Sequence, residues 1–338
     1  MSRREARGRP VTVGEAVVAP GRRATLQIPI AHLPTDSWLE MPVVVVNGRR
    51  AGPRLWLSAA IHGDELNGVE IVRQVLARLD ARSLAGAVVA VPVVNVFGFV
   101  NESRYLPDRR DLNRSFPGSR RGSLAARLAG LFMATIADGS DLGIDLHTGS
   151  NQRTNHPQVR ADLLDAESLR LARAFGAPFL VHSRRRDGSL RDAAAARGLR
   201  VLVYEGGEAG RFNRTAIRAG VDGILRVMGA MGMGEFGVAP AEHEPLLLEG
   251  SRWLRARRSG ILRLDVRPGD FVAKGTKLGD IGDVVGRRRL VLRSPRDGWV
   301  IGLRRSALVH RGDALLHFGA GLPAHEGVSV NDREAPIP

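Results

Sequence analysis

The sequence predicts an α/β fold, a mostly parallel or mixed sheet with helices on both faces, followed by a small C-terminal β domain. Three observations carry this. From about residue 40 to 231, short apolar runs alternate with segments whose apolar residues recur at helical spacing, the pattern of a largely parallel sheet covered on both sides. Three of those runs, residues 54–60, 143–146 and 201–204, end in polar residues and glycine, and open α/β sheets bind ligands at such strand ends. After about Pro245 the pattern changes to short alternating strands over residues 252–318. These are broken by Arg267-Pro268-Gly269-Asp270, Lys274-Gly275, Ser294-Pro295-Arg296-Asp297-Gly298 and Arg311-Gly312-Asp313, the turn chemistry of a small β domain.

The elements follow in order. Residues 1–10 read as a disordered basic tail, 11–244 as the main domain, 245–320 as the β domain and 321–338 as a second tail. Residues 11–50 alternate like strands, most clearly from Val43 to Val46. The strand at 54–60 leads into a helix carrying Leu66, Val69, Val72, Leu76 and Leu79. Residues 87–96 form a second buried strand, where Pro92 suggests an edge or a bulge. The arginine-rich stretch 95–117 is a long polar loop, and loops of that length in compact domains are usually functional. Residues 123–137 form a helix on Leu124, Leu128, Leu131 and Ile136. Further helices at 161–175 and 191–197, strands near Phe179 and Leu202, and a last helix at 215–231 complete the main domain.

The stretch from Ser58 to Glu65 is chemically the most specific. It sets His62 and Glu65 three residues apart on the turn between a strand and a helix, with Gly63 letting the backbone turn sharply. One imidazole and one carboxylate can fill two corners of a tetrahedral Zn²⁺ site. The best third ligand is His147, at the end of another apolar strand. Asp145, two residues earlier, shares its face and lies near the ion or orients a ligand. Two histidines and a glutamate are the ligand set of a hydrolytic zinc centre, one ion per chain. Taken singly, a His-x-x-Glu pair is common and a histidine after a buried strand is more often structural. Their coincidence at two strand ends is what carries the reading.

His62-Gly63-Asp64-Glu65, Arg104-Tyr105, Asp111-Leu112-Asn113-Arg114, Asp145-Leu146-His147-Thr148-Gly149 and Glu205 occur in the order found in the succinylglutamate desuccinylase/aspartoacylase family, which the chain resembles over about residues 40–320. That family is similar to the zinc carboxypeptidases in fold and active site. The resemblance implies that His62, Glu65 and His147 hold zinc, that Glu205 is the general base and acid, and that Arg104 polarises the scissile carbonyl. It also implies that Asn113 and Arg114 hold the substrate carboxylate.

These roles suit amide hydrolysis. Zinc lowers the pKa of water to about 7, a carboxylate such as Glu205 moves the proton to the leaving amine, and a guanidinium such as Arg104 faces the oxyanion. A guanidinium such as Arg114 grips a carboxylate through paired hydrogen bonds. By itself, Glu205 reads nearly as well as a strand-end carboxylate capping the glycine turn after it. Arg109 and Arg110 read as solvated loop charges, Tyr204 and Glu208 as packing and solvated groups. Asn155, Pro157 and Arg160 follow the His147 turn closely enough to reach its pocket.

Composition bounds the rest. With 338 residues, 43% hydrophobic and 5% aromatic content, the chain can bury a large aliphatic core. The absence of cysteine excludes disulfides and thiolate metal sites and is compatible with a cytoplasmic location. No apolar segment approaches the ~20 residues of a membrane helix, and the charged start shows no signal peptide, so no membrane partner is expected. The net charge of +15 comes almost wholly from scattered arginines, Lys274 and Lys277 being the lysines. No zinc finger, stacking platform or recognition helix accompanies it, so nucleic acid is not expected as a partner.

The turns of the C-terminal domain resemble those of the barrel-sandwich hybrid of lipoyl and biotinyl domains. Its exposed hairpin, residues 284–292, offers Arg287, Arg288 and Arg289 and no lysine, so the domain reads as a structural or substrate-gating cap without a swinging arm. His32, His156, His182, His243, His310, His317 and His325 are assigned to no metal. The expected activity is that of a zinc amidohydrolase removing an acyl group from an N-acyl amino acid or related small amide, a small-molecule partner. A carboxypeptidase of the same superfamily acting on a peptide, or a non-catalytic protein binding anions or nucleic acid, are the alternatives; assembly into a homo-oligomer is left open.

Overall fold

The computed structural model describes residues 6–183 and 185–321. A hairpin of β1 (Val11–Val13) and β2 (Ala16–Val18) precedes the antiparallel pair β3 (Arg22–His32) and β4 (Trp38–Asn47). The alternating part runs β5 (Arg50–Ala59), α1 (Asn67–Ala77), β6 (Ala85–Val91), α2 (Val96–Val100), α3 (Leu124–Phe132), β7 (Leu142–Gly149) and β8 (Arg153–Ala161). It continues with α4 (Ala166–Phe175), β9 (Phe179–His182), α5 (Leu190–Ala195), β10 (Arg200–Glu208) and α6 (Arg214–Ala230). The C-terminal module contains β11 (Leu246–Leu248), β12 (Gly250–Arg255), β13 (Gly260–Leu264), β14 (Phe271–Val272) and β15 (Lys277–Gly282). It ends with β16 (Arg289–Arg293), β17 (Gly298–Arg304), β18 (Leu308–Val309) and β19 (Ala314–Ala320).

One mixed sheet of 13 strands runs through the molecule in the order β12-β19-β17-β8-β10-β7-β5-β6-β4-β3, with β9, β11 and β14 attached to its side. Its centre, β10-β7-β5-β6, is parallel, because helical crossovers join those strands. Period-2 alternation assigns the two faces. Leu57, Leu146 and Tyr204 face α1, α4 and α6, whereas Trp56 and Val201 face the layer of α3 and α5. Trp56 is fully buried against Gly143, where an added Cβ would lie 2.0 Å from the indole. Asp145, His147 and Glu205 project from the second face, and the β7–β10 register sets Glu205 beside His147.

Several expectations change. The strand expected at 87–96 ends at Val91, and it is interior, between β5 and β4; Pro92 terminates it where no ladder bond is needed. The expected loop at 95–117 contains α2, capped by Asn95, and a 3₁₀ turn at Leu112–Arg114 capped by Asp111. The helix expected from 161 begins at Ala166, since residues up to Ala161 form β8 and Asp165 provides the N-cap by accepting from Ser168 N. The basic tail is tied down from Ala6 onward: Ala6 O accepts from Ala51 N, and Gly8 N donates to Arg49 O. The second expected tail lies, apart from Gly321, outside the described residues, as does His325.

The C-terminal module is a sandwich with its own core, formed by Leu262, Leu278, Ile281, Val300, Leu316 and Phe318 among others. One of its layers is the four-stranded sheet β16-β15-β13-β18; the other, β12-β19-β17, is the end of the large sheet and pairs with β8. Among the described residues no helix is long and apolar enough to cross a membrane.

Candidate metal centre and its cavity

The turn after β5 is built under constraint. Ala60 has a φ of +48°, a left-handed conformation that costs an alanine energy and is held because Val94 N and Asn95 N donate to the carbonyls of Ala59 and Ala60. Gly63 is required for close approach rather than for a special φ: an added Cβ would lie 1.9 Å from the backbone carbon of Gly98. This turn carries His62 and Glu65 inward, where both are buried.

His62, Glu65 and His147 converge, with one ligand atom from each lying within 4.8 Å of the others. His62 Nδ1 is 2.8 Å from Glu65 Oε1, and His147 Nδ1 is 2.9 Å from Glu65 Oε2. Thr148 N donates to Glu65 Oε2 at 3.1 Å, and the Ser150 hydroxyl donates to Oε1. The outer nitrogens are anchored as well: His62 Nε2 is 3.2 Å from Asp111 Oδ1, and His147 Nε2 is 2.8 Å from Asp145 Oδ2. Ser58 Oγ donates to the other oxygen of Asp145 at 2.8 Å.

This arrangement fits a divalent cation. With each Nε2–H donated outward to a carboxylate, each Nδ1 turns a lone pair toward Glu65. Such a cluster repels itself unless positive charge lies within it, from a metal ion or from protonated imidazoles. Two imidazoles and one carboxylate are the donors of borderline transition metals rather than of calcium or magnesium. The three side chains could therefore hold a metal ion. Burial acts to raise the Glu65 pKa, but His62 and His147 outweigh it and hold the carboxylate well below its usual range. Burial acts to lower His147, and Asp145 and Glu65 outweigh that and push it well above its ordinary value.

The seven residues given site roles from the sequence, His62, Glu65, Arg104, Asn113, Arg114, His147 and Glu205, line one cavity of about 560 Å³ together with Asp145, Asn155 and Arg160, whereas Pro157 does not reach it. Arg104 is fixed on Asp111 Oδ2 through Nη2 at 2.8 Å and Nε at 3.2 Å, and donates to Ser150 Oγ at 2.8 Å. That leaves its Nη1 3.6 Å from Glu65 Oε1. Glu205 Oε2 accepts from Asn155 Nδ2 at 2.7 Å. Asn113 uses Oδ1 to accept from Leu190 N at 2.9 Å, which docks α5 against the loop, while Arg114 is exposed and donates to the Asn113 carbonyl.

Other residues of the cavity escaped assignment from the sequence. Asp111 stands in a motif that was recognised, yet its service to both His62 and Arg104 depends on contacts across the fold. Ser150 follows the His147 motif. Trp253 and His317 come from the C-terminal module and stack with ring centroids 4.4 Å apart, with Arg153 over the Trp253 ring at 5.2 Å. Burial, reinforced by Arg160 and Arg153, holds the His317 pKa well below its ordinary value, so the ring is neutral. Tyr204 stays out of the cavity, stacked on Phe175 with its hydroxyl donated to Ala216 O. Glu208 pairs with Arg211 and Arg305.

Comparison with known proteins points to one family. Residues 51–231 match the family model of the succinylglutamate desuccinylase/aspartoacylase catalytic domain. The chain is 30% identical over 307 residues to N-alpha-acetyl-L-2,4-diaminobutyric acid deacetylase of Halomonas elongata, covering 86% of this chain and 89% of that one. Among solved structures it is similar to a succinylglutamate desuccinylase/aspartoacylase from Rhodobacter sphaeroides, with a TM-score of 0.80, 29% identity, and 90% and 98% of the two chains covered. The fold is also that of the product-bound ectoine utilization protein EutE (DoeB) from Ruegeria pomeroyi, at a TM-score of 0.81, 24% identity and coverage of 92% and 99%.

Proposed function

The chain belongs to the succinylglutamate desuccinylase/aspartoacylase family, and from that premise we propose that it is a zinc-dependent amidohydrolase that removes the acyl group from an N-acyl amino acid or a related small amide. The observation that carries the reading is the pair of Nδ1 atoms turned onto Glu65 by the carboxylates of Asp111 and Asp145. Zinc held by His62, Glu65 and His147 would supply the Lewis acidity that polarises a carbonyl and lowers the pKa of water to about 7.

The chain's own groups do the rest. Glu205, set beside His147 by the strand register, accepts a proton from the attacking water and returns it to the leaving nitrogen. Arg104 cannot swing freely because Asp111 and Ser150 hold it, so its charge is already in place where the oxyanion develops. Asn113 and Arg114, on the open side, hold the substrate carboxylate. The products are a carboxylic acid and an amino acid.

A peptidase reading fits less well. Trp253 and His317 close one wall, and about 560 Å³ suits a small molecule better than an extended chain. The relative from Halomonas elongata is named for an acetylated diamino acid. A panel should therefore pair acetyl and succinyl groups with aspartate, glutamate and diamino acids. The expected result is release of acid and free amine that is abolished by chelation and restored by zinc. Cleavage of peptides alone would favour the carboxypeptidase alternative, and salt-dependent nucleic-acid binding without any turnover would favour the binding alternative.

A further inference from the structure

Asn155 Nδ2 donates to Glu205 Oε2 at 2.7 Å, and among the described residues no other hydrogen bond or ion pair reaches that carboxylate. Asn155 faces Glu205 because β8 carries an extra residue. Glu205 pairs with Gln158 but Gly207 with Asn155, so two steps along β10 match three along β8. That bulge, beside Pro157, reverses the alternation and puts both Asn155 and Arg160 on the cavity side.

The other flank of Asn155 belongs to the C-terminal module. Asn155 pairs with Gly302 of β17, and a Cβ at position 302 would lie 2.7 Å from Asn155 Oδ1 and 3.0 Å from the Thr154 carbonyl oxygen. The φ of Gly302 is not in the left-handed region. Glycine serves there by leaving space for the Asn155 amide.

We propose that Asn155 is a positioning residue that fixes the Glu205 carboxylate for proton transfer, and that Gly302 of the C-terminal module is what allows Asn155 to take that place. The proposal rests on the role given to Glu205 above. A glutamate side chain turns about three torsions, and one charge-assisted bond to Oε2 leaves Oε1 as the oxygen presented to the reaction. The module thereby contributes to the chemistry through the sheet, in addition to supplying a wall.

The test uses the full-length, zinc-loaded protein and the variants Asn155→Ala, Asn155→Asp, Gly302→Ala and the double variant Asn155→Ala/Gly302→Ala. Each is measured for kcat, KM, zinc content and thermal midpoint. Asn155→Ala is expected to lower kcat about 10- to 100-fold with KM within about twofold and zinc content unchanged. Asn155→Asp keeps the shape but replaces the donor with a like charge, so kcat should fall at least as far, a loss that packing alone would not produce. Gly302→Ala should lower kcat in the parent yet add little to the kcat loss of Asn155→Ala, since the nearer atom it meets, Asn155 Oδ1, is gone and only the Thr154 carbonyl oxygen at 3.0 Å remains. Near-parental kcat in Asn155→Ala or Asn155→Asp, or full additivity of the two sites in kcat, would overturn the proposal. An inactive Glu205→Gln alongside a fully active Asn155→Ala sinks this inference alone, whereas an active Glu205→Gln sinks the assigned base itself.

Discussion

His147 Nε2 lies 2.8 Å from Asp145 Oδ2, and an N–H donated to that carboxylate leaves Nδ1 as the nitrogen that faces Glu65. Ser58 holds the second oxygen of Asp145 from β5, so the orientation of the imidazole is shared between two strands.

Asp145→Asn preserves shape but weakens this hold and can present an amide N–H₂ to the ring. Zinc affinity is expected to fall about 10- to 100-fold. Competition against a chelator of known affinity measures it, and an unchanged dissociation constant would remove Asp145 from the metal site's support.

Glu205→Gln should retain a full complement of metal, because the Glu205 carboxylate bonds Asn155 and, among the described residues, makes no hydrogen bond or ion pair with His62, Glu65 or His147. Turnover should drop about 10²- to 10⁴-fold, the range for losing a general base. Metal analysis beside steady-state kinetics separates this from a loss of zinc.

Gly63→Ala forces a methyl group into the Gly98 backbone at 1.9 Å, and neither segment is a flexible side chain that could step aside. A destabilisation of about 1–3 kcal/mol is expected from such overpacking, together with reduced metal binding. Urea unfolding checks the first and metal titration the second; a variant as stable as the parent would show that the turn can relax.

Asp165 caps α4 and pairs with Arg200 at 2.7 Å, and the Arg200 bond, then Ser168, holds its pKa below the usual carboxylate range. A depressed folded-state pKa means the stabilisation is whole above the unfolded value of about 3.9 and is lost as pH falls toward the depressed one. Asp165→Ala should cost about 1 kcal/mol at pH 7, mostly as a lost cap because the pair is solvent-screened. The gap between parent and variant should narrow below about pH 4, and unfolding curves at pH 6 and pH 3 would expose a gap that does not.

The clustering of His62, Glu65 and His147 was legible because each stands at or just past the end of an apolar run, where the pattern of β5 or β7 breaks into polar residues and glycine. Strand β8 was not. No element is assigned from the sequence to Thr154-Asn155-His156-Pro157-Gln158, since the bulge destroys its alternation and Pro157 argues against a strand. With β8 hidden, the neighbourhood of Asn155 and its link to Gly302 were hidden too, and the C-terminal segment looked like a separate body. The contacts of Asp111 with His62 and of Ser150 with Glu65 were hidden for another reason: the partners lie 49 and 85 residues apart, and nothing local marks such contacts.

The continuous ladder from β8 into β17 means that the boundary near residue 245 is no place to cut. A chain stopped there would leave positions 153–155 with open backbone donors and acceptors, a template for pairing with another molecule. Excising the module is thus expected to yield aggregation rather than a smaller enzyme, and its fate is bound to that of the hydrolytic half as one cooperative body.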